Sequence, residues 1–494
     1  MKSSSGRLRT AVGRYDRRAP APRSVREARR ERAVAALADA HRRPLWLDGG
    51  APPAAPPLVR AARCDLLVVG GGFTGLWTAL RAAERHPELE VVLVEGRRVA
   101  WAAAGRNGGF CEASLTHGLS NGVAHFPREV ALLERLGLEN LDAIEATVVR
   151  EGIDCGFERT GTLDVATAAW QLEELAELAA LAAGVGEDVR LLDAAACRAE
   201  VDSPTYLGGL STPERCALVD PARLAWGLLA AAKRRGVAVH EGTRVVGLED
   251  DGDGVAATLD SGARVRARRV VLATGAFAPL LRRLRYYVVP VYDYALATEP
   301  LGASRLARIG WRNRQGISDG GNQFHYYRLT PDDRILFGGY DAVYHFGSAV
   351  RERHEQRDAT FLLLAEHFFE TFPSLEDVRF EYRWGGVIDT CTRFTPFFGR
   401  ALGGRVVYAA GFTGLGVGAS RFAGEVLVDL ATGEASERSR LEMVRRKPVP
   451  FPPEPFRWLV IEATRRSLAA ADRNCGRRNA WLRVLDRLGI GFDS

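Results

Sequence analysis

The chain has 494 residues, with 67 Lys or Arg, 61 Asp or Glu and 47% apolar residues. That leaves room for two or three domains and large cores. Seven scattered cysteines without a CxxC pair exclude a disulfide framework and a zinc site, so no metal is expected, and no apolar run approaches the ~18 residues of a membrane span. The net charge is +6, but thirteen basic and four acidic residues fall within 1–45, so the remainder is mildly acidic. No secretory apolar segment follows the early arginines. The cytoplasm is the expected location, although an Arg-rich, acid-poor start also suits a mitochondrial presequence.

Residues 1–45 are rich in Arg, Ala, Ser and Pro and lack a sustained apolar face, which predicts a mostly disordered basic tail with a short helix near 26–40. Such a tail can tether RNA or a membrane surface, or simply be solvated. Residues 46–62, with prolines at 52, 53, 56 and 57, read as a stiff linker. A buried-strand run then enters VVGGGFTGLWTALRAAERHPELEVVLVE, residues 68–95, with helical spacing over 73–85 and a second strand run at 91–94. This is the context a GxGxxG pattern needs to be a nucleotide-binding βαβ unit. Gly70 permits a tight turn, Gly72 admits a pyrophosphate to the backbone, and Gly75 lets the helix pack on the strand. The pyrophosphate sits at the helix start beside Phe73 and Thr74, where unpaired N–H groups and the helix dipole favour anions. Glu95 ends the second strand, where it accepts ribose hydroxyls and repels a 2′-phosphate, disfavouring NADP. NAD and FAD stand equal at this point.

Amphipathic helices follow at 128–149, 170–183 and 219–235, then strands at 238–246 and 254–259 and a buried strand at 268–275. Between 286 and 339 aromatic and β-branched content rises, predicting a mainly antiparallel sheet. After residue 383 the pattern returns to strand, glycine loop and helix at 406–409, 411–418 and 421–430, and 456–488 reads as two amphipathic helices. The expected fold is therefore α/β. A discontinuous Rossmann-like domain covers 63–150, 216–285 and 385–435. An inserted α+β substrate domain covers 151–215 and 286–384, and a helical extension covers 436–494.

Three later features turn a dinucleotide into a flavin. The strand at 270–273 runs into Thr274 and Gly275, a small-residue turn that permits close approach. GFTGLGVG, residues 411–418, places four glycines directly before a helix, where they are costly unless backbone meets ligand. With Gly414, Leu415 and Gly416 at its start, that helix would stabilise negative charge on the pyrimidine end of a reduced isoalloxazine. AGRNGG, residues 104–109, offers Gly105, Arg106, Asn107, Gly108 and Gly109 as a loop along an extended cofactor, with backbone N–H groups and two polar side chains available.

The ordered set VVGGGFTGLWTAL, AGRNGGF, VDPARLAWGL, VVLATGAFAP, YYRLTPDDRILFGG, RWGGVIDTCTRFTPFFGR and YAAGFTGLGVGAS resembles the D-amino-acid oxidase and glycine/sarcosine oxidase family of FAD enzymes. The GRNGG loop and WGG segment resemble its γ-glutamylputrescine oxidoreductase branch. The resemblance implies FAD and oxidation of a C–N bond in an amine or amino acid, giving an imine that hydrolyses. It places Gly70, Gly72, Gly75, Glu95, Arg106, Asn107, Gly108, Val245, Thr274, Gly414 and Gly416 at the cofactor, with Gly386 of the WGG segment beside them. Ala104 stands where the branch usually has serine. Cys391 lacks the motif around the flavin-linking cysteine of some relatives, so FAD is expected to be non-covalent, with Cys391 and Cys111 as small fillers. Lysine occurs only at 2, 233 and 447, outside every motif. A His or Arg then supplies the positive charge for reaction with oxygen, or the acceptor is an electron carrier.

Hydride transfer from the carbon beside a neutral amine to flavin N5 needs little acid–base machinery, and no catalytic side chain is singled out. Substrate-handling candidates are Tyr326 and Arg328, which share a strand face opposite Tyr327, with Tyr340, Arg393 and His345. Arg328 is the candidate carboxylate clamp. His117 follows the flavin loop and reads as a solvated loop histidine or an active-site group. The partners expected are a small amine or amino acid and oxygen or an electron carrier, not nucleic acid. The competing readings are an NAD-dependent dehydrogenase and a nucleic-acid-associated flavoprotein tethered by its basic tail.

Overall fold

The computed structural model describes residues 22–490. Five parallel strands, in the order Val406–Ala410, Arg264–Leu272, Ala62–Val69, Val91–Val94 and Ala238–His240, form the centre of the first sheet. Phe397–Ala401 edges it antiparallel. Both faces are covered, as the unbroken apolar runs require: Leu66 and Val68 enter one core while Leu67 and Val69 enter the other. Helices Phe73–Arg85, Gly416–Thr432 and Pro221–Arg234 pack together over the first of these cores.

The second sheet runs Val343–Tyr344, Val289–Thr298, Ile335–Gly339, His325–Leu329, Gly316–Asp319, Thr162–Ala166, Gly208–Thr212 and Arg190–Asp193. Phe380–Thr390 also pairs with Val289–Thr298. The pairings are antiparallel except where Gly316–Asp319 lies parallel to Thr162–Ala166. Helix Asp358–Thr371 covers one face, setting Phe361, Leu364, Phe368 and Phe369 against Tyr327, Phe337 and Phe372.

The structure corrects three boundaries. Residues 22–45 are ordered: Arg23–Leu37 is a helix, and it buries Ala33, Ala36 and Leu37 in the second sheet's core. Its Arg29, Arg30 and Arg32 pair with Glu370, Glu366 and Glu376. Exposed pairs contribute about 0–1 kcal/mol each, whereas one buried leucine contributes about 1.5–3, so the short apolar stripe decides the docking. The expectation of disorder for residues 1–21 lies outside the described residues. Phe380–Thr390 carries Gly385 and Gly386 in the substrate sheet, past the expected boundary at 384, because its pairing with Val289–Thr298 continues unbroken. Leu441, Met443 and Val444 join the nucleotide-domain core, so that domain runs beyond 435. The linker is pinned as well, the Ala55 and Leu58 N–H groups donating to Glu241 and Thr243 at 2.6 and 2.9 Å.

Candidate active site

The ends of strands Ala62–Val69 and Arg264–Leu272 bring Gly70 against Ala273. Gly70 holds φ +116°, and a Cβ there would overlap the Ala273 carbonyl; one at Gly75 would overlap the Gly70 carbonyl. Gly72 differs. It caps helix Phe73–Arg85 without a side-chain hydrogen bond, and nothing lies within 4 Å of where its Cβ would be. The start of helix Gly416–Thr432 repeats this arrangement: Leu415 caps it without a side-chain bond, and the space beside Gly416 is open to 4 Å. Both helix starts therefore present unpaired N–H groups to one cavity of about 1450 Å³, which Thr74, Glu95, Val245, Thr274 and Gly275 also line. This cradle fits an extended dinucleotide with an anionic centre and a second electron-rich end.

Glu95 accepts from the Gly71 and Arg97 N–H groups at 2.7 and 2.8 Å, while burial raises its pKa against those bonds. It therefore fixes the glycine turn as well as lining the cavity. Arg106, Asn107 and Gly108 of loop 104–109 line the cavity, and both polar side chains are also engaged within the protein. The Asn107 amide donates to the Ala103 and Ala104 carbonyls at 2.9 and 3.2 Å and accepts from Gly109 N–H at 2.8 Å. Arg106 donates to the carbonyls of Trp101 and Gly385 at 2.8 and 3.1 Å and pairs with Glu355 at 2.7 Å. Two indoles hold the loop backbone, Trp46 on the Asn107 carbonyl and Trp384 on that of Arg106, each at 2.8 Å. Both side chains hold the loop's shape. Gly105 and Gly109 serve packing too, since a Cβ at either would overlap the carbonyl of Ala100 or Val219.

Of the substrate candidates, Tyr326 and Tyr340 line the cavity with Gly386. Tyr326 Oη donates to Asp293 at 2.6 Å, and Tyr340 stacks on His325 with ring centres 5.1 Å apart. Arg328 and Arg393 do not line it and are corrected here. Arg328 is 0% exposed and donates to the Gly109, Val219 and Leu329 carbonyls, with burial lowering its pKa to about 10. Arg393 donates to Thr395 Oγ1 and to the Arg446, Pro396 and Met443 carbonyls. Both are struts that tie together backbone segments distant in the sequence. His345 stacks on His354 at 3.6 Å, away from the cavity. His117 is not a solvated loop residue: it lines the cavity with its Nε2 beside Gly414, and burial lowers its pKa. Cys111 and Cys391 are fully buried, and burial raises both thiols.

The groups missed from the sequence are carboxyls inside apolar strands. Asp164, Asp293 and Asp319 reach the cavity from the substrate sheet, Glu112 from strand Phe110–Glu112, and Asp389 from the end of Phe380–Thr390. Burial, then the charge of Asp164, raises Glu112 to about 7. Burial raises Asp293 and Asp389 to about 6, and it raises Asp164 against a hydrogen bond from Ser318. Asp319 is engaged by His325 at 2.6 Å. A carboxylate within a hydrophobic strand is the signal that could have found them, because burying one without purpose is costly. Among the described residues no group of three or more His, Cys, Asp or Glu could hold a metal ion. No helix there is long and apolar enough to cross a membrane.

Residues 65–430 match the model of the FAD dependent oxidoreductase family that includes D-amino-acid oxidase. The chain belongs to this family. γ-Glutamylputrescine oxidoreductase of Escherichia coli is 31% identical over 392 residues, covering 78% of this chain and 88% of that protein. A probable oxidoreductase, OrdL, of Haemophilus influenzae is 27% identical, covering 78% and 87%. Glycine oxidase from Geobacillus kaustophilus superposes with a TM-score of 0.66 at 20% identity, covering 78% of this chain and all of that one. The fold class read from the sequence holds.

Proposed function

We propose that this FAD-dependent oxidoreductase oxidises a C–N bond of a cationic amine rather than of a zwitterionic α-amino acid. The observation that carries this reading is the charge of the cavity wall. Glu112 and Asp164 both line the cavity, and after burial the charge of Asp164 raises the proton affinity of Glu112, a repulsion that a bound cation relieves. Of the arginines that reach the cavity, Arg106 is paired with Glu355 and Arg215 with Glu134 and Glu187, and Arg97 and Arg98 with Glu352 and Glu241; Arg244, Arg282 and Arg351 also line it. The two arginines named from the sequence as substrate-handling candidates, Arg328 and Arg393, are the buried struts described above.

FAD, when bound, supplies the hydride acceptor. Gly70, Gly72, Phe73 and Thr74 would hold its pyrophosphate, with Gly75 packing the helix beneath them, Glu95 and Val245 its adenosine ribose, and Gly414, Leu415 and Gly416 its pyrimidine end. The backbone of Gly108, with Thr274, Gly275 and Gly386, would fit around the remainder, while Gly105 and Gly109 are packing positions behind the loop and off the cavity. Asp293 orients the Tyr326 hydroxyl as a fixed hydrogen-bonding wall. Glu112, with a pKa near neutrality, can take the proton that the ammonium must lose before its α-carbon is oxidised. His117 is neutral at physiological pH because burial lowers its pKa, and among the described residues no lysine lines the cavity. Both points favour an electron carrier over oxygen as acceptor.

Anaerobic flavin bleaching against amines and α-amino acids tests the reading. Amines without an α-carboxylate should reduce the flavin at least about tenfold faster, the scale of a buried charge mismatch. Faster bleaching by α-amino acids would overturn it, and the rate of recovery on admitting oxygen reports the acceptor.

A further inference from the structure

The family match ends at residue 430, but the cavity does not end with it. Val460, Ile461 and Leu468 of helix Phe456–Arg473, and Leu482 and Leu485 of helix Ala480–Arg487, line the same cavity as the flavin cradle. Opposite them, helix Gln171–Gly184 contributes Leu175 and Leu178.

Helix Phe456–Arg473 is fastened to the substrate domain at both ends. Asp472 accepts from Asn322 N–H and Nδ2 and from Gln323 N–H at 2.6–3.0 Å. Glu454 accepts from Gly347 N–H at 3.0 Å and from the Tyr344 hydroxyl. The turn between the helices seats Gly476 so closely on Trp170 that a Cβ would come within 2.7 Å of the indole. The arginines of this region that reach the cavity are neutralised, Arg465 by Glu462 at 2.8 Å and Arg478 by Asp486 at 2.6 Å. The wall is therefore apolar and carries no free charge, in contrast to the acidic wall around Glu112, Asp164 and Asp293.

We infer that the C-terminal helical pair builds an outer apolar subsite of the active-site cavity, so that the substrate is an amine bearing an extended hydrocarbon chain or aryl group beyond its ammonium. This rests on the amine reading above. The acidic inner wall takes the ammonium, and Ile461, Leu468 and Leu482 with Leu175 and Leu178 take the apolar portion. The helical pair is then a specificity element added to the family's fold.

Two measurements on the FAD-loaded enzyme test it. Alkyltrimethylammonium ions, which have no lone pair on nitrogen and cannot yield an imine, are titrated by tryptophan fluorescence. Primary alkylamines of matching lengths are compared in anaerobic flavin reduction. Affinity should rise by about threefold to fourfold per methylene, the transfer increment of a buried CH₂, until the subsite is filled. Ile461→Asn and Leu468→Asn, at partly exposed positions that tolerate polarity, should each weaken long-chain binding by about tenfold, on that same scale. Binding of tetramethylammonium and the flavin content should stay unchanged. Chain-length independence, or equal losses for short and long ions, would overturn the outer subsite. Chain-length-dependent ammonium binding with no reduction by any amine would instead overturn the amine chemistry and leave the apolar subsite standing.

Discussion

The two halves of the cavity are built from different materials. The nucleotide side is backbone: glycines whose missing side chains leave space, and two helix starts whose N–H groups no side chain caps. The substrate side is side chain: carboxyls, tyrosines and aliphatic residues brought together from two sheets and a C-terminal helical pair. A backbone site tolerates almost no substitution but makes few chemical distinctions. A side-chain site can be altered residue by residue, and selectivity resides there.

The sharpest way to break this contrast is within the glycine motif itself. Gly75→Ala forces a Cβ into the Gly70 carbonyl and should lower the stability of the apoprotein by about 1–3 kcal/mol or more, seen as a fall in apoprotein Tm together with lost flavin. Gly72→Ala has open space on the protein side, so apoprotein Tm should hold while FAD affinity falls. Equal apoprotein losses for both would show that Gly72 is packing and not cradle.

Next in size is Arg328→Met, which takes the guanidinium from the buried Val219 carbonyl and one of the two donors from that of Gly109 and should cost about 1–3 kcal/mol. Thermal denaturation should register this, with little change in amine KM at temperatures where the enzyme stays folded. Asp293→Asn should do the opposite, keeping the Tyr326 hydrogen bond while raising amine KM by about tenfold. A large KM effect from Arg328→Met with unchanged Tm would return that residue to the substrate site.

The pH response follows from the same wall. Burial holds Asp293 at about 6 and Glu112 at about 7, above the unfolded values near ~4. A raised carboxyl stabilises the fold fully below its unfolded pKa, and that contribution is lost as pH rises through the folded pKa. From about pH 4 to about pH 7 apoprotein Tm should therefore fall on account of these groups. Affinity for a quaternary ammonium ion, whose charge does not titrate, should rise as Asp293 and Glu112 ionise, through about pH 6 and about pH 7. Glu112→Gln should flatten both curves, and a pH-independent affinity in the parent enzyme would contradict the acidic wall. The smallest effect belongs to Arg30→Ala: its pair with Glu366 is exposed and should be worth less than about 1 kcal/mol in denaturant unfolding, whereas Ala33→Asp should undock the helix.

The nucleotide half was legible because glycine spacing records backbone geometry directly: Gly70, Gly72 and Gly75 follow one another in the chain, and each has a local reason. The substrate half was not, because its geometry depends on register between distant strands. Tyr326 and Arg328 do share a strand face, but only Tyr326 stands over the cavity; two residues further on, the strand lies under the Gly109 and Val219 backbone and the guanidinium becomes a strut. Net charge misled in the same way at Arg29, Arg30 and Arg32, whose partners lie more than three hundred residues downstream on helix Asp358–Thr371 and just beyond it. Asp164 and Asp293 were readable as acids inside apolar strands, yet nothing local says which face they occupy.

The indole of Trp46 reaches the flavin-loop carbonyl of Asn107 from a segment that precedes the family's first matched residue. The stretch matched to the family and the stretch that holds the loop in place are therefore different objects. A fragment trimmed to residues 65–430 would keep every fingerprint glycine and still release one side of the loop, as well as opening the far wall of the cavity. Anyone shortening this protein for expression or grafting its oxidising core onto another scaffold should carry residues 44–48 along, or supply another donor for that carbonyl.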